Sequence, residues 1–162
     1  MKRSVQDLAI SASTYWIQEM PLLNNTTHQT DLEIPVARFF ENKREVAAVY
    51  LFGSHASGRQ RPESDVDIGI LLCPEFLESG NAVREECIAG LGRILRKDIH
   101  PVILNHAGEV LLKQVLSAGK PVLISNPKVH KWFAMISLSR IADFQSHLEQ
   151  MQNGFAKKIM ET

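Results

Sequence analysis

Cysteine is scarce in this chain: two in 162 residues, Cys73 and Cys87, 14 apart and with no Cys-x-x-Cys spacing. Neither a disulfide framework nor a zinc site follows, and both read as reduced, partly buried thiols. Net charge is missing as well, since Lys+Arg and Asp+Glu each total 18. That excludes a large polybasic face, so bulk electrostatics give no reason to expect direct nucleic-acid binding. No apolar run reaches the ~18 residues of a membrane span, and the N-terminus has no signal-peptide core. The expected location is therefore the cytoplasm. Internal repeats and low-complexity tracts are absent too. What is present is ordinary: 44% hydrophobic and 22% charged residues, the make-up of one globular domain. A domain of this length buries roughly 70% of the surface its unfolded chain exposes and needs no staple.

Three regions follow from the patterning. Residues 1–30 read as an extension, probed only by a loose helical pattern over 4–20 (Leu8, Ile10, Tyr15, Ile17, Met20) and a polar loop at 24–28. Residues 31–125 carry the domain. Thr30 or Asp31 is positioned to cap a helix whose apolar positions are Leu32, Ile34, Val36, Phe39 and Phe40. Apolar runs at 47–52, 66–72, 99–104 and 121–124 predict four strands. Helical spacing over 81–96 (Val83, Cys87, Ile88, Leu91, Leu95) and 109–117 predicts two helices between them. Residues 126–162 form the last region, a long helix started by Pro127, with Trp132, Phe133, Ile136, Ile141, Phe144, Leu148, Met151 and Phe155 as an apolar stripe. That stripe is longer than a domain of this size needs, so a partner or a second copy is expected to bury its outer end. The first two strands are joined by a loop without helical pattern, which favours antiparallel pairing. The expected class is α+β: a small mixed sheet with helices on one side and a long C-terminal helix.

Chemistry concentrates in the stretch VYLFGSHASGRQRPESDVDIGILL, residues 49–72. A strand delivers Gly53-Ser54, ten residues intervene, and Asp65-x-Asp67 opens the next strand. Strand side chains alternate faces, so Asp65 and Asp67 share one side, with Val66, Ile68 and Ile70 on the other. Two carboxylates that close repel unless a cation lies between them, and hard divalent ions take carboxylate and phosphate oxygens together. Gly53 lets backbone approach a phosphate, Ser54 adds a hydroxyl donor, and Gly69 is expected to keep the floor of the site open. Of the spacer residues, Arg59 and Arg61 read better as solvated arginines than as phosphate contacts, and His55 reads equally well as a phosphate-facing or a solvent-facing loop position.

This arrangement resembles the nucleotidyltransferase superfamily of DNA polymerase beta, whose signature is Gly-Ser, a spacer, then Asp-x-Asp. The stretch from Asp31 to Ile124 is similar to its compact form, the minimal nucleotidyltransferase. The resemblance implies the polymerase beta-like nucleotidyltransferase fold. It also implies an antitoxin that transfers AMP from ATP to a tyrosine hydroxyl of a partner HEPN-domain ribonuclease toxin. Under it, Asp65 and Asp67 hold Mg²⁺ or Mn²⁺, while Gly53, Ser54 and Ser64 join them in binding the nucleotide. The family's third carboxylate falls on the third strand, where this chain reads Asp98-Ile99-His100-Pro101-Val102-Ile103-Leu104-Asn105. His100 occupies that slot, with Asp98 two residues earlier. Mg²⁺ is a poor match for nitrogen and Mn²⁺ a better one, and an imidazole also suits general-base work.

Three readings stand at this point. One is a metal-dependent protein adenylyltransferase, with Asp65, Asp67 and His100 as its catalytic residues. Another is a weakened member of the family that neutralises its toxin by binding alone. The last is a small-molecule, aminoglycoside-type nucleotidyltransferase, which needs a second helical domain that residues 127–162 do not supply.

Overall fold

The computed structural model describes residues 32–54 and 64–160, as backbone only beyond 153. The pattern over 4–20, the loop at 24–28, the Thr30 or Asp31 cap, the spacer residues His55, Arg59 and Arg61, and the Phe155 side chain lie outside the described residues.

Helix α1 (Glu33–Phe40) starts at Leu32 without a side-chain capping bond. Strand β1 (Val46–Phe52) is followed by β2 (Val66–Leu72), a short 3₁₀ turn over Pro74–Ser79, and helix α2 (Gly80–Leu95). Strand β3 (Ile99–Ile103), helix α3 (Glu109–Ala118), strand β4 (Lys120–Ile124) and helix α4 (Pro127–Met160) complete the chain. The sheet order is β3-β2-β1-β4. β1 pairs antiparallel with both β2 and β4, while β2 and β3 run parallel through the α2 crossover. Pro101 and Pro121 fall in β3 and β4, the two edge strands, where a missing N–H costs least.

The class, the mixed sheet, the antiparallel β1–β2 pair and the long last helix are as expected. The placement of helices on one side of the sheet is not. Val36 and Phe40 of α1 and Val83, Cys87 and Leu91 of α2 pack with Val49, Leu51, Val66, Ile68 and Ile70 on one face. Leu112 and Val115 of α3 and Ile141 of α4 pack with Tyr50, Phe52, Leu71 and Leu104 on the other. The reason is visible in β1, all seven of whose residues are buried. A central strand that is apolar at every position, rather than at alternate ones, has both faces covered. Ile88 also departs from the expected face of α2, being 46% exposed beside buried Cys87.

Helix α4 is fastened at its start. The Tyr50 hydroxyl and His130 Nε2 form a hydrogen bond in the buried layer between β1 and α4. Two turns further on, Ser137 is buried, and Ile141 closes the packed face. Arg140 adds two bonds to Glu109 Oε1, at 2.7 and 3.1 Å, tying α4 to α3. Trp132 and Ile136, expected in the packing stripe, point away at 63% and 42% exposure. Each is one residue, hence about 100° of helix rotation, from Phe133 or Ser137 on the packed face. Cys73 and Cys87 are buried free thiols. Among the described residues, no helix is long and apolar enough to cross a membrane.

Candidate active site

Sheet topology alone gathers the motif. β1 ends where β2 begins, because the two are antiparallel and Phe52 pairs with Asp67. Gly53 and Ser54 therefore emerge beside the Asp65-x-Asp67 start of β2. β3 runs parallel to β2, and its register places His100 directly opposite Asp67. Three separate segments thus meet at one end of the sheet.

Gly53 has φ +69°, in the left-handed region that favours glycine. A Cβ there would stand 2.1 Å from Asp67 Oδ2. The glycine is therefore required by the Asp67 carboxylate that lies against the turn, a closer constraint than access for a phosphate. Gly69 proves to have a different role from the one expected. A Cβ on it would meet Leu104 Cδ2 at 3.1 Å, so Gly69 makes room for a buried leucine and does not hold the site floor open. The short 3₁₀ turn Leu104–His106 is tied to the far end of β2 by Asn105, whose Oδ1 accepts the Leu72 N–H at 2.9 Å and whose Nδ2 donates to the Leu72 carbonyl at 3.1 Å.

His100 Nδ1 lies 3.7 Å from Asp65 Oδ2 and 3.8 Å from Asp67 Oδ1. All three side chains reach solvent, at 61% for His100, 46% for Asp65 and 31% for Asp67. Asp98 falls just ahead of β3, where its carbonyl accepts the Val66 N–H at 2.9 Å. With Ser64, Ile88, Gly92, Arg96, Lys97 and Ile99 it lines an open cavity of about 480 Å³, in which Asp65, Asp67 and His100 take no part. His100 is the third-strand group that the structure sets beside the aspartate pair. Sequence reasoning named His100 from its slot but had no signal for the Gly69–Leu104 contact or for the Asn105 clamp.

Among the described residues, no group of three or more His, Cys, Asp and Glu side chains is placed to hold a metal ion. A hard ion such as Mg²⁺ commonly takes only one or two carboxylates and completes its shell with substrate phosphate and water. Two solvent-facing carboxylates beside a Gly-Ser turn supply the donor set for that role.

Comparison with known proteins gives the family and the fold. The family model described as polymerase beta, nucleotidyltransferase matches residues 34–128. A protein adenylyltransferase, MntA of Shewanella oneidensis, is 35% identical over 80 residues, which are 49% of this chain and 55% of that one. The chain thus aligns with about half the length of this relative. A crystal structure of a toxin–antitoxin with AMP-PNP is 27% identical with a TM-score of 0.59, covering 79% of this chain and 98% of that one. A tri-AMPylated Shewanella oneidensis HEPN toxin in complex with MNT antitoxin gives 24% identity and a TM-score of 0.54, over 80% and 96% of the two chains. At that identity the likeness is one of fold.

Proposed function

The chain belongs to the polymerase beta nucleotidyltransferase family, and from that premise we propose that it is an adenylyltransferase antitoxin. Its reaction moves AMP from ATP to a hydroxyl, a tyrosine in the resemblance, of a HEPN ribonuclease toxin that it binds. The observation that carries this reading is the meeting of Gly53-Ser54 with Asp65 and Asp67 at one sheet end. The name of the MntA relative and the AMP-PNP bound in the 27%-identical toxin–antitoxin support adenylyl transfer from ATP.

In this mechanism the acceptor oxygen attacks the α-phosphorus, the bond to the β-phosphate breaks, and pyrophosphate leaves with the hydroxyl proton passing to solvent. Asp65 and Asp67 would hold the divalent ions, which when bound neutralise triphosphate charge and make the acceptor hydroxyl more acidic. The Gly53 backbone and the Ser54 hydroxyl bind and orient the β- and γ-phosphates, with Ser64 as a further nucleotide contact. His100 stands in for the third carboxylate as the remaining catalytic residue. Such transfer depends on positioning and on charge, so the short, glycine-dictated turn against Asp67 is where the fold contributes most. In this reading 31–125 is the catalytic domain, 126–162 serves packing and partner contact, and the protein acts in the cytoplasm.

A second reading, neutralisation by binding alone, is supported by the imidazole of His100 opposite Asp67, where the resemblance implies a carboxylate. Transfer of label from α-³²P-ATP to the co-purified toxin separates the two. Labelling with Mg²⁺ or Mn²⁺ that falls on the order of a thousandfold in the Asp65→Ala/Asp67→Ala variant is the expected result. A stable, unlabelled complex under both metals would leave only the binding role.

A further inference from the structure

We propose that the outward face of the first five turns of α4 is a self-association surface, on which a second copy of this chain lays its own α4 antiparallel. The proposal is independent of the adenylyltransferase reading.

α4 is apolar on two sides where packing on its own domain uses one. His130, Ala134, Ser137 and Ile141 are buried. Nearly half way round the helix from them, Trp132 and Met135 are 63% and 54% exposed, flanked by exposed Ile136 and Leu138. A helix that is apolar all round is a buried helix. Large apolar side chains clustered on an open surface mark an interaction site, and Trp and Met are enriched at the centres of such sites.

The spacing of that face is the seam of a helix pair. Lys128, Trp132, Met135, Ser139, Ala142 and Ser146 follow one another in alternating steps of four and three, and all six are exposed. That is the 3.5-residue repeat of helices wound side by side.

Size and charge along the seam then identify the occupant. Large side chains fill its first half and small ones its second. An antiparallel copy sets Trp132 over Ala142 and Met135 over Ser139, so each large group covers a small one. Ile136 and Leu138, on the two flanks, each come beside their own counterpart near the twofold axis. Lys128 and Lys131 lie at the start of the helix, Asp143 and Glu149 three or more turns on. Antiparallel pairing brings the lysines of one copy toward the carboxylates of the other, whereas parallel pairing stacks like charges and tryptophan on tryptophan. The seam is thus complementary to itself. The stripe through Phe144, Leu148 and Met151 continues the packed side of the helix and stays open to a different partner.

The test is sedimentation velocity on the full chain alone, from about 1 to 100 µM, a range that brackets micromolar association. The expected result is a concentration-dependent dimer that Trp132→Glu and Met135→Lys each weaken at least tenfold, with the fold intact by circular dichroism. Direction is read by cross-linking. Mild oxidation should join two chains of Met135→Cys/Ser139→Cys but not of Ser139→Cys alone, with the wild type, whose Cys73 and Cys87 are buried, as control. A monomer throughout the range, or a dimer that both charge variants leave unchanged, overturns the proposal. Cross-linking of Ser139→Cys alone overturns the antiparallel arrangement. A monomeric wild type whose co-purified partner protein is lost in Trp132→Glu assigns the face to that partner, and the proposal fails.

Discussion

A single backbone angle holds the site together at the residue scale. At Gly53, φ +69° costs an L-residue about 1–2 kcal/mol, which a domain with about 5–15 kcal/mol of stability survives. The 2.1 Å approach of a Cβ to Asp67 Oδ2 is a different matter, because one of the two groups has to move. Gly53→Ala should therefore yield a folded protein, its melting temperature lowered by several degrees, with transfer to the toxin reduced at least a hundredfold. Activity retained alongside the same loss of stability would show that Asp67 does not need its present position. Gly69 shows the opposite case. Its position in the Asp-x-Asp-x-Gly run invited a role in the site, yet Leu104 fills the space above it. The identity of a glycine is legible in a sequence, but what fills the place of its missing side chain is not.

Between single residues and the whole chain, three buried groups bear on how the protein answers to pH: Tyr50 and His130 at the joint of β1 with α4, and Cys87 of α2 on the other face of the sheet. Burial pushes the Tyr50 phenol up to about 12 and the Cys87 thiol up to about 12. Burial, helped by Lys131, pushes His130 below the ordinary histidine value. Below about pH 6.5 the unfolded chain protonates its histidine while the folded one resists, so stability declines as pH falls through that range. Above the ordinary values of 9.0 for the thiol and 10.0 for the phenol, the unfolded chain loses protons that the folded one keeps, and stability declines again. Thermal melts from pH 5.5 to 7.5 should show the acid limb flattened in His130→Gln, which removes the titration but keeps a polar partner for Tyr50. An unchanged slope would place the acid sensitivity elsewhere. This joint was only half legible. Strand and helix positions followed from periodicity and from Pro and Gly punctuation, and the antiparallel β1–β2 pair followed from a loop with no helical pattern. Helices on both faces were missed, although the run AAVYLF is apolar without alternation. His130 carried no ligand spacing, and its bond to Tyr50 spans 80 residues, beyond any local pattern. In the site, the Gly-Ser and Asp-x-Asp parts were readable because they are consecutive. The meeting of His100 with them depends on strand register, which a sequence does not print.

For the molecule as a whole, the longest element outruns the domain it packs on. α4 spans 34 residues, roughly 50 Å at 1.5 Å per residue, whereas a domain of about 100 residues has a radius of gyration near 13 Å. Its packed face reaches only to Ile141. Beyond that, the same 3- and 4-residue spacing continues through Phe144, Leu148 and Met151, now 39%, 43% and 50% exposed. Half-exposed apolar groups that continue a core stripe are the form a helical partner covers, and burying each fully adds on the order of 1 kcal/mol. If the HEPN toxin is that partner, Leu148→Asp should weaken the complex at least tenfold by titration calorimetry, because a carboxylate buried without a partner adds its own cost. The melting temperature of this chain alone should stay within about 1 °C, since Leu148 lies past the packed face and surface substitutions change little. Unaltered toxin affinity would move the interface off the helix end and back to the sheet edge at β3, where under the proposed function an acceptor hydroxyl has to reach Asp65 and Asp67.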